Sequence, residues 1–184
     1  MEYDQSKYNE EYWAEKERLE AKHFVICSEI FKSFMPKTLL DYGCGMGQFV
    51  KVFNDMGVDA YGYEPSSYAV GQKLHTNKIS SNKPVMPYDM IICMDVAEHI
   101  PLEDVDSFLK KIKASSITSC IVIFSICFKG DTNFVHDQTH ITERTREWWE
   151  YKLMKADYLL SRIPKDWTFA SQMIVAKINK EVKE

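Results

Sequence analysis

The sequence has no excess of basic residues and no cluster of them. Its 184 residues contain 23 Lys and Arg against 27 Asp and Glu, which gives a formal net charge of -4 at pH 7. Proteins that bind nucleic acid or anionic membrane surfaces usually display a basic stripe or patch. We therefore expect neither nucleic acid nor a membrane surface among the partners of this protein.

Long hydrophobic runs and paired cysteines are also missing. The longest apolar run, "SCIVIFSICF", has the length of a strand, whereas a membrane-spanning helix needs about 20 apolar residues. None of the five cysteines belongs to a C-x-x-C pair, and the first residues, "MEYDQSKYNEEYW", lack the basic head of a signal peptide. We expect no membrane insertion, no disulfide framework, no zinc site and a cytoplasmic location.

The spacing of apolar residues alternates between that of short strands and that of helices. Residues 8 to about 35 have helical spacing and are followed by Pro36; beyond it, strand-like and helix-like segments alternate about five times. This alternation predicts an α/β fold with a mostly parallel sheet and helices on both faces. The length suits one domain, residues 1–184, with an N-terminal helical segment at 1–36 and the alternating core at 37–184.

Glycine is scarce, yet three of the seven glycines lie within five positions of "LLDYGCGMGQF", residues 39–49. The apolar run before them predicts a strand and the spacing after them predicts a helix, so the glycines form a strand-to-helix turn. We expect Gly43 to take a positive φ, Gly45 to let a ligand touch the backbone and Gly47 to let the helix pack on the strand. Such a turn presents backbone amides and a helix N-terminus to an anionic group.

Two classes of cofactor use a turn of this kind. A dinucleotide site has the spacing G-x-G-x-x-G, but here the third glycine comes one position early and Gln48 occupies its place. This difference weakens the interpretation as a nicotinamide-dependent oxidoreductase. Glu64 ends the next predicted strand, in "DAYGYEP", and follows Gly43 at close to the separation of about 20 residues at which an acid binds ribose hydroxyls.

With Asp41 in front, the glycine run reads D-x-G-x-G-x-G and resembles the class I S-adenosylmethionine-dependent methyltransferases. The resemblance implies a Rossmann-like fold with a mostly parallel seven-stranded sheet and an antiparallel last strand. It also implies S-adenosylmethionine as the cofactor, with the methionine part in the glycine turn and the ribose on Glu64. The cofactor-binding residues expected on this basis are Asp41, Gly43, Cys44, Gly45, Gly47, Glu64, Pro65 and Asp95.

A second stretch, "YDMIICMDVAEHIP" at 88–101, resembles the fourth-strand motif of this family, and its D-x-x-E-H ending resembles the quinone-biosynthesis and related small-molecule O-methyltransferases. The resemblance implies that Asp95, Glu98 and His99 lie at the methyl-transfer site. Carboxylates there would stabilise a sulfonium cation, and Asp and Glu oxygens also suit a divalent metal ion. The alternative is that Glu98 and His99 only cap the next helix; because three ligands at such short spacing rarely complete a site, we predict no metal ligand.

A third stretch, "FVHDQTHITERTREWW" at 134–149, resembles a segment that follows the fifth strand in a subset of these methyltransferases, including tailoring enzymes for glycans and secondary metabolites. Methylation of a hydroxyl removes its proton, and histidine titrates near neutral pH. We expect His140, or else His136, to act as the base. Hydrogen bonding to the backbone is the alternative for either ring.

These resemblances imply a methyltransferase that acts on an oxygen of a small molecule or a glycan unit. An amine acceptor needs the same geometry, so N-methylation stays open, as does a non-catalytic S-adenosylmethionine-binding subunit. The chain has no room for an inserted acceptor domain, so we expect the acceptor pocket to use the N-terminal helix, residues 126–149 and, in a homodimer, a partner subunit. Tyr3, Tyr8, Tyr12 and Trp13 are candidates for an aromatic lid over the cofactor, with helix packing as the alternative.

Overall fold

The computed structural model describes residues 8–14, 16–82, 86–131, 137 and 139–179. The chain divides into two compact units, Met1–Val85 and Met86–Glu184. Each unit alternates strands with helices. The division into one domain over 1–184, with its helical segment at 1–36, stays a prediction.

The first unit contains four helices and three strands among its described residues. In chain order they are α1 (Glu10–Ala14), α2 (Ala21–Phe34), β1 (Thr38–Tyr42), α3 (Gln48–Asp55), β2 (Asp59–Tyr63), α4 (Ser67–Gln72) and β3 (Ile79–Ser80). β2 pairs in parallel with both β1 and β3, and Asp41 of β1 lies opposite Gly62 of β2. Because the strands are parallel, the residues that follow β1 and β2 emerge at the same edge of the sheet.

The helix predicted over residues 8 to 35 is broken between α1 and α2, which corrects the sequence expectation. In the break, the carbonyl oxygens of Lys16 and Glu17 accept hydrogen bonds of 2.6 Å from the side chains of Gln48 and His75, respectively. In a continuous helix those carbonyls would accept from the helix's own amides. Contacts with distant parts of the unit therefore replace more than one turn of helix.

The second unit contains four strands and two α-helices among its described residues. They are β4 (Tyr88–Met94), α5 (Val105–Ala114), β5 (Ser116–Ser125), α6 (Arg146–Lys155), β6 (Leu159–Ser161) and β7 (Met173–Asn179). The strand order within this unit is β4-β5-β7-β6. β4 and β5 are parallel, whereas β7 pairs antiparallel with both β5 and β6. The last strand is therefore the reversed one, as the resemblance implied.

The strands of the second unit form its buried core. Six of the seven residues of β4 are buried, and β5 adds Val122, Ile123 and Phe124. A strand covered on both faces needs apolar residues at successive positions, which the run "MIICM" supplies. All five cysteines are buried free thiols, and no helix in the described ranges is long and apolar enough to cross a membrane. The predicted α/β class, with mostly parallel strands and an antiparallel last strand, is confirmed.

Candidate functional site

The glycine run at 43–47 forms the predicted turn between β1 and α3. Gly43, Gly45 and Gly47 all have a positive φ, of 88°, 52° and 87°. Other residues are strained in this left-handed region, so the backbone path itself favours glycine. Gly47 also occupies the N-cap of α3. The strand-to-helix turn predicted from the sequence is confirmed.

Three backbone amides of this turn donate hydrogen bonds to groups of the protein, whereas we expected the turn to present its amides to an anionic group. The backbone nitrogens of Gly43 and Cys44 donate to the carbonyl oxygen of Tyr63, at 2.7 and 3.1 Å. The backbone nitrogen of Gly45 donates to Oε2 of Glu64 at 3.0 Å. The end of β2 thus holds the turn in its shape.

Trp13 of α1 lies against Gly45. A Cβ atom on Gly45 would be 2.9 Å from Cζ3 of Trp13. The indole Nε1 of Trp13 donates to the carbonyl oxygen of Tyr8 and to Oγ of Ser66, each at 3.1 Å, and only 8% of Trp13 is exposed. The ring of Trp13 therefore requires a glycine at position 45. Tyr3, the first residue of the expected aromatic lid, lies outside the described residues.

Cys44 and Pro65 flank these contacts. The side chain of Cys44 packs so closely on Gly62 that a Cβ atom on Gly62 would overlap its sulfur. Burial raises the pKa of the Cys44 thiol well above its ordinary value, so the thiol stays neutral. Pro65 follows Glu64 directly and precedes Ser66, whose backbone nitrogen donates to Oε1 of Glu64 at 2.8 Å.

Two buried carboxylates belong to this site. Asp41, only 1% exposed, has no hydrogen-bond partner for either carboxylate oxygen among the described residues. Burial raises the pKa of Glu64 to about 7, and burial together with the charge of Glu64 raises the pKa of Asp41 well above its usual range. Buried carboxylates are costly unless a cation or hydrogen-bond donors compensate them, so this pair favours a ligand that brings both.

In the second unit, the segment after β4 holds two further acids. The backbone nitrogen of Asp95 donates to the carbonyl oxygen of Ser125 at 3.0 Å, and Oγ of Ser125 donates to Oδ1 of Asp95 at 2.6 Å. Glu98 is fully buried, and its Oε1 accepts from the backbone nitrogen of Cys127 at 2.9 Å. Its Oε2 has no partner in the part of the chain that the structure describes. Burial, and then the charge of Asp95, raises the pKa of Glu98 to about 8.

Glu98 does not cap the next helix, so the capping alternative is wrong. α5 begins at Val105 and has Asp104 as its N-cap. The carbonyl oxygen of Glu98 instead accepts hydrogen bonds from the backbone nitrogens of Ile141 and Thr142, at 3.0 and 2.9 Å. With the bond to Cys127, Glu98 therefore ties the segment after β4 to the segment after β5.

His99 and His140 lie side by side next to Glu98. Their ring centroids are 4.7 Å apart in an edge-to-face arrangement. One carboxylate oxygen of Glu98 and one ring nitrogen of each histidine all lie within 4.8 Å of one another. One small ligand, a cation included, could therefore contact all three. His136, the other expected base, lies outside the described residues.

Thr139 and Asp137 also belong to this group, and neither was among the predicted site residues. Nδ1 of His99 lies 2.9 Å from Oγ1 and 3.1 Å from the carbonyl oxygen of Thr139. Oγ1 of Thr139 donates to Oδ1 of Asp137, as does its backbone nitrogen at 2.9 Å. The order Asp-x-Thr at 137–139 is typical of a turn in which the aspartate accepts from the backbone two positions later, and this was the available signal.

Comparisons with known proteins agree with the fold. Residues 12–160 match a family model described as a methyltransferase domain. The 1,6-didemethyltoxoflavin-N1-methyltransferase of Burkholderia thailandensis, bound to 1,6-didemethyltoxoflavin and S-adenosylhomocysteine, has a TM-score of 0.69 at 12% identity, over 96% of this chain and 87% of that one. An amino pentose methyltransferase of Micromonospora echinaspora, bound to S-adenosylmethionine, has a TM-score of 0.66 at 12% identity, over 89% of this chain and 94% of that one.

A third similar structure is the magnesium protoporphyrin IX methyltransferase of Synechocystis PCC 6803 with bound S-adenosylmethionine. Its TM-score is 0.60 at 15% identity, over 86% of this chain and 78% of that one. No curated protein matches the sequence. At these identities the three structures show a shared Rossmann-like fold, while the family model matches most of the chain. The chain belongs to the methyltransferase domain family and is an S-adenosylmethionine-dependent methyltransferase.

Proposed function

We propose that the protein methylates an oxygen of a small molecule or a glycan unit. The similar structures support a small acceptor, since their substrates include an amino pentose, a protoporphyrin and didemethyltoxoflavin. A hydroxyl must lose its proton as it is methylated, so it needs a base. The observation that carries the proposal is the group of two histidines beside the buried carboxyl of Glu98.

The buried carboxylates of the first unit suit the cationic groups of S-adenosylmethionine. The Asp41 carboxylate is buried and has no hydrogen-bond partner among the described residues, and the Glu64 carboxylate is buried beside it. S-Adenosylmethionine brings an ammonium group, a sulfonium group that makes its methyl electrophilic, and ribose hydroxyls that can donate hydrogen bonds. Each carboxylate oxygen has two lone pairs. Glu64 can therefore accept hydrogen bonds from the ribose hydroxyls while it keeps those from the backbone nitrogens of Gly45 and Ser66.

The roles that we assign to the cofactor-binding residues follow from these groups. Asp41 compensates the cationic methionine part and Glu64 binds the ribose. Asp95 stays a cofactor-binding residue on the basis of the family resemblance alone. The other cofactor-binding residues lie in the glycine turn or directly after β2: Gly43, Cys44, Gly45, Gly47 and Pro65. Trp13 with Tyr8 and Tyr12 acts as the lid on this turn, supported by its contact with Gly45.

On the acceptor side, we assign the base to His140 or, as the alternative, to His136. Glu98 and His99 shape the position of the acceptor. His140 is supported by its place beside His99 and Glu98. Alignment of donor and acceptor supplies most of the rate, and the base adds about 10²- to 10⁴-fold.

A second candidate function is N-methylation. The didemethyltoxoflavin enzyme methylates a nitrogen, by its name, and shares the fold. Membership of the methyltransferase domain family favours an enzyme over a non-catalytic S-adenosylmethionine-binding subunit. The five buried free thiols support the cytoplasmic location that we propose, and a homodimer stays a prediction.

The test is methyl transfer from S-adenosylmethionine with a labelled methyl group to matched acceptors that differ only in a hydroxyl or an amine, such as a sugar and its amino sugar. Labelled ether products would support the proposal, whereas labelled amines alone would favour the second candidate. We expect His140→Ala or His136→Ala to lower turnover at least tenfold. Unchanged turnover in both variants would remove the base assignment, and Glu103→Gln, at an exposed position, serves as the control.

A further inference from the structure

We infer that Trp13 is a positioning residue for Glu64: it holds the two residues whose backbone amides orient the Glu64 carboxylate, and so determines how well that carboxylate receives the ribose hydroxyls. The inference rests on the proposed role of Glu64 and deepens it. It gives the N-terminal helix α1 a part in recognising the cofactor, beyond covering the glycine turn.

Each oxygen of the Glu64 carboxylate accepts a hydrogen bond from one backbone amide. The nitrogen of Gly45 donates to Oε2 at 3.0 Å, and the nitrogen of Ser66 donates to Oε1 at 2.8 Å. Glu64 is only 5% exposed, so bulk water contributes little to holding it. Because hydrogen bonds weaken steeply as they bend, a shift of either amide would turn the carboxylate.

Trp13 contacts both of these donor residues. Its ring lies on Gly45, where an added Cβ atom would be 2.9 Å from Cζ3 of the ring. Its Nε1 donates to Oγ of Ser66 at 3.1 Å. One buried side chain therefore packs on one of the residues that orient Glu64 and is hydrogen-bonded to the other.

The hydroxyl of Ser66 also joins α1 to α4. Ser66 is the N-cap of α4, and its Oγ accepts a hydrogen bond from the backbone nitrogen of Ala69 at 3.3 Å. Ala69 belongs with Trp13 and Met46 to one buried cluster. The start of α4, the glycine turn and α1 thus meet at Trp13. Movement of α1 away from this cluster would remove the support of Ser66 and of Gly45 together.

This arrangement couples the docking of α1 to recognition of the ribose. With Trp13 in place, the two amides fix the direction of the Glu64 carboxylate and leave lone pairs for the ribose hydroxyls. Loss of Trp13 has two effects: it uncovers the glycine turn, and it weakens the hydrogen bonds from the ribose to Glu64. Only the second effect depends on the hydroxyls of the ligand, so the two can be separated by experiment.

The test compares two ligands by calorimetric titration: S-adenosylhomocysteine and its analogue without the 2′- and 3′-hydroxyls. We expect wild type to bind the analogue about tenfold or more weakly, because hydrogen bonds to Glu64 are lost. We expect Trp13→Ala to reduce this preference by about two- to tenfold, the range for one hydrogen bond. Trp13→Phe is the milder variant: phenylalanine has no N–H for Ser66 and a shorter ring towards Gly45, but it leaves a smaller cavity. It should reduce the preference in the same direction, and it serves as the test if Trp13→Ala does not fold.

Phe24→Ala is the matched control, since Phe24 is an aromatic residue of the same unit that is 45% exposed on α2. It should keep the wild-type preference. If the Trp13 variants weaken the binding of both ligands by the same factor, Trp13 only covers the site and the inference is overturned. A wild type that binds both ligands equally would instead contradict the proposed role of Glu64, on which the inference rests, so the two failures are distinguishable. Neither outcome depends on the acceptor, whose identity the methyl-transfer assay reports.

Discussion

The ring of Trp13 lies directly on the backbone of Gly45. Only glycine leaves room for it, because a Cβ atom there would be 2.9 Å from Cζ3 and 3.3 Å from Cη2 of the ring. Two hydrogen bonds from the indole nitrogen keep the ring in this position. The N-terminal helix and the glycine turn therefore form one packed structure.

We expect Gly45→Ala to destabilise the first unit through both strain and overlap. The left-handed φ of 52° costs about 1–2 kcal/mol for alanine, and contact with Trp13 adds to it. Gly57→Ala is the matched control, since Gly57 also has a positive φ but no atom within 4 Å of an added Cβ. Denaturant unfolding should show that Gly45→Ala lowers the free energy of unfolding less in Trp13→Ala than in wild type, whereas the effect of Gly57→Ala is the same in both. If Gly45→Ala lowers the free energy of unfolding equally in wild type and in Trp13→Ala, the contact between Gly45 and Trp13 is contradicted.

The raised pKa of Glu64 predicts that stability depends on pH. Its folded pKa of about 7 lies above the ordinary 4.5, so between these values the folded protein binds more protons than the unfolded chain. The free energy of unfolding should therefore fall as pH rises from about 4.5 to 7, by on the order of 3 kcal/mol from this group. Glu64→Gln lacks the titration, so its stability relative to wild type should increase over this window. A difference that stays constant with pH would argue against the buried, ionisable Glu64.

The bond from Cys127 to Glu98 predicts different effects for two replacements of Glu98. Glu98→Gln keeps an oxygen that can accept from the backbone nitrogen of Cys127, so we expect it to unfold at nearly the wild-type denaturant concentration. Glu98→Leu leaves that buried donor without its acceptor, which costs about 1–3 kcal/mol. Equal stability of the two variants would show that the hydrogen bond does not tie the two segments together.

Local sequence signals predicted the parts of the site that depend on neighbouring residues. The strand before Gly43, the helix after Gly47 and the acid at the end of β2 follow from apolar period and spacing. Trp13 on Gly45 could not be predicted, because it depends on the break that the Lys16 and Glu17 carbonyls stabilise through distant side chains.

The histidine group was predictable only in part for the same reason. His99 and His140 were recognised from two separate stretches, but their contact depends on the hydrogen bonds that join Glu98 to Ile141 and Thr142 across more than 40 residues of chain. The role of Glu98 was also open from the sequence, since a residue just after a strand can equally cap the next helix. Burial of its whole side chain distinguishes the two cases.

The most direct test of the account is calorimetric titration of S-adenosylhomocysteine into wild type, Asp41→Asn and Glu64→Ala, with NADH as the control ligand. We expect micromolar binding of S-adenosylhomocysteine to wild type, a loss of at least tenfold in each variant, about 1.4 kcal/mol or more, and no binding of NADH. The exposed Glu103→Gln should bind as wild type does. Undiminished binding in Asp41→Asn and Glu64→Ala would contradict the central claim that this buried acid pair holds the cofactor.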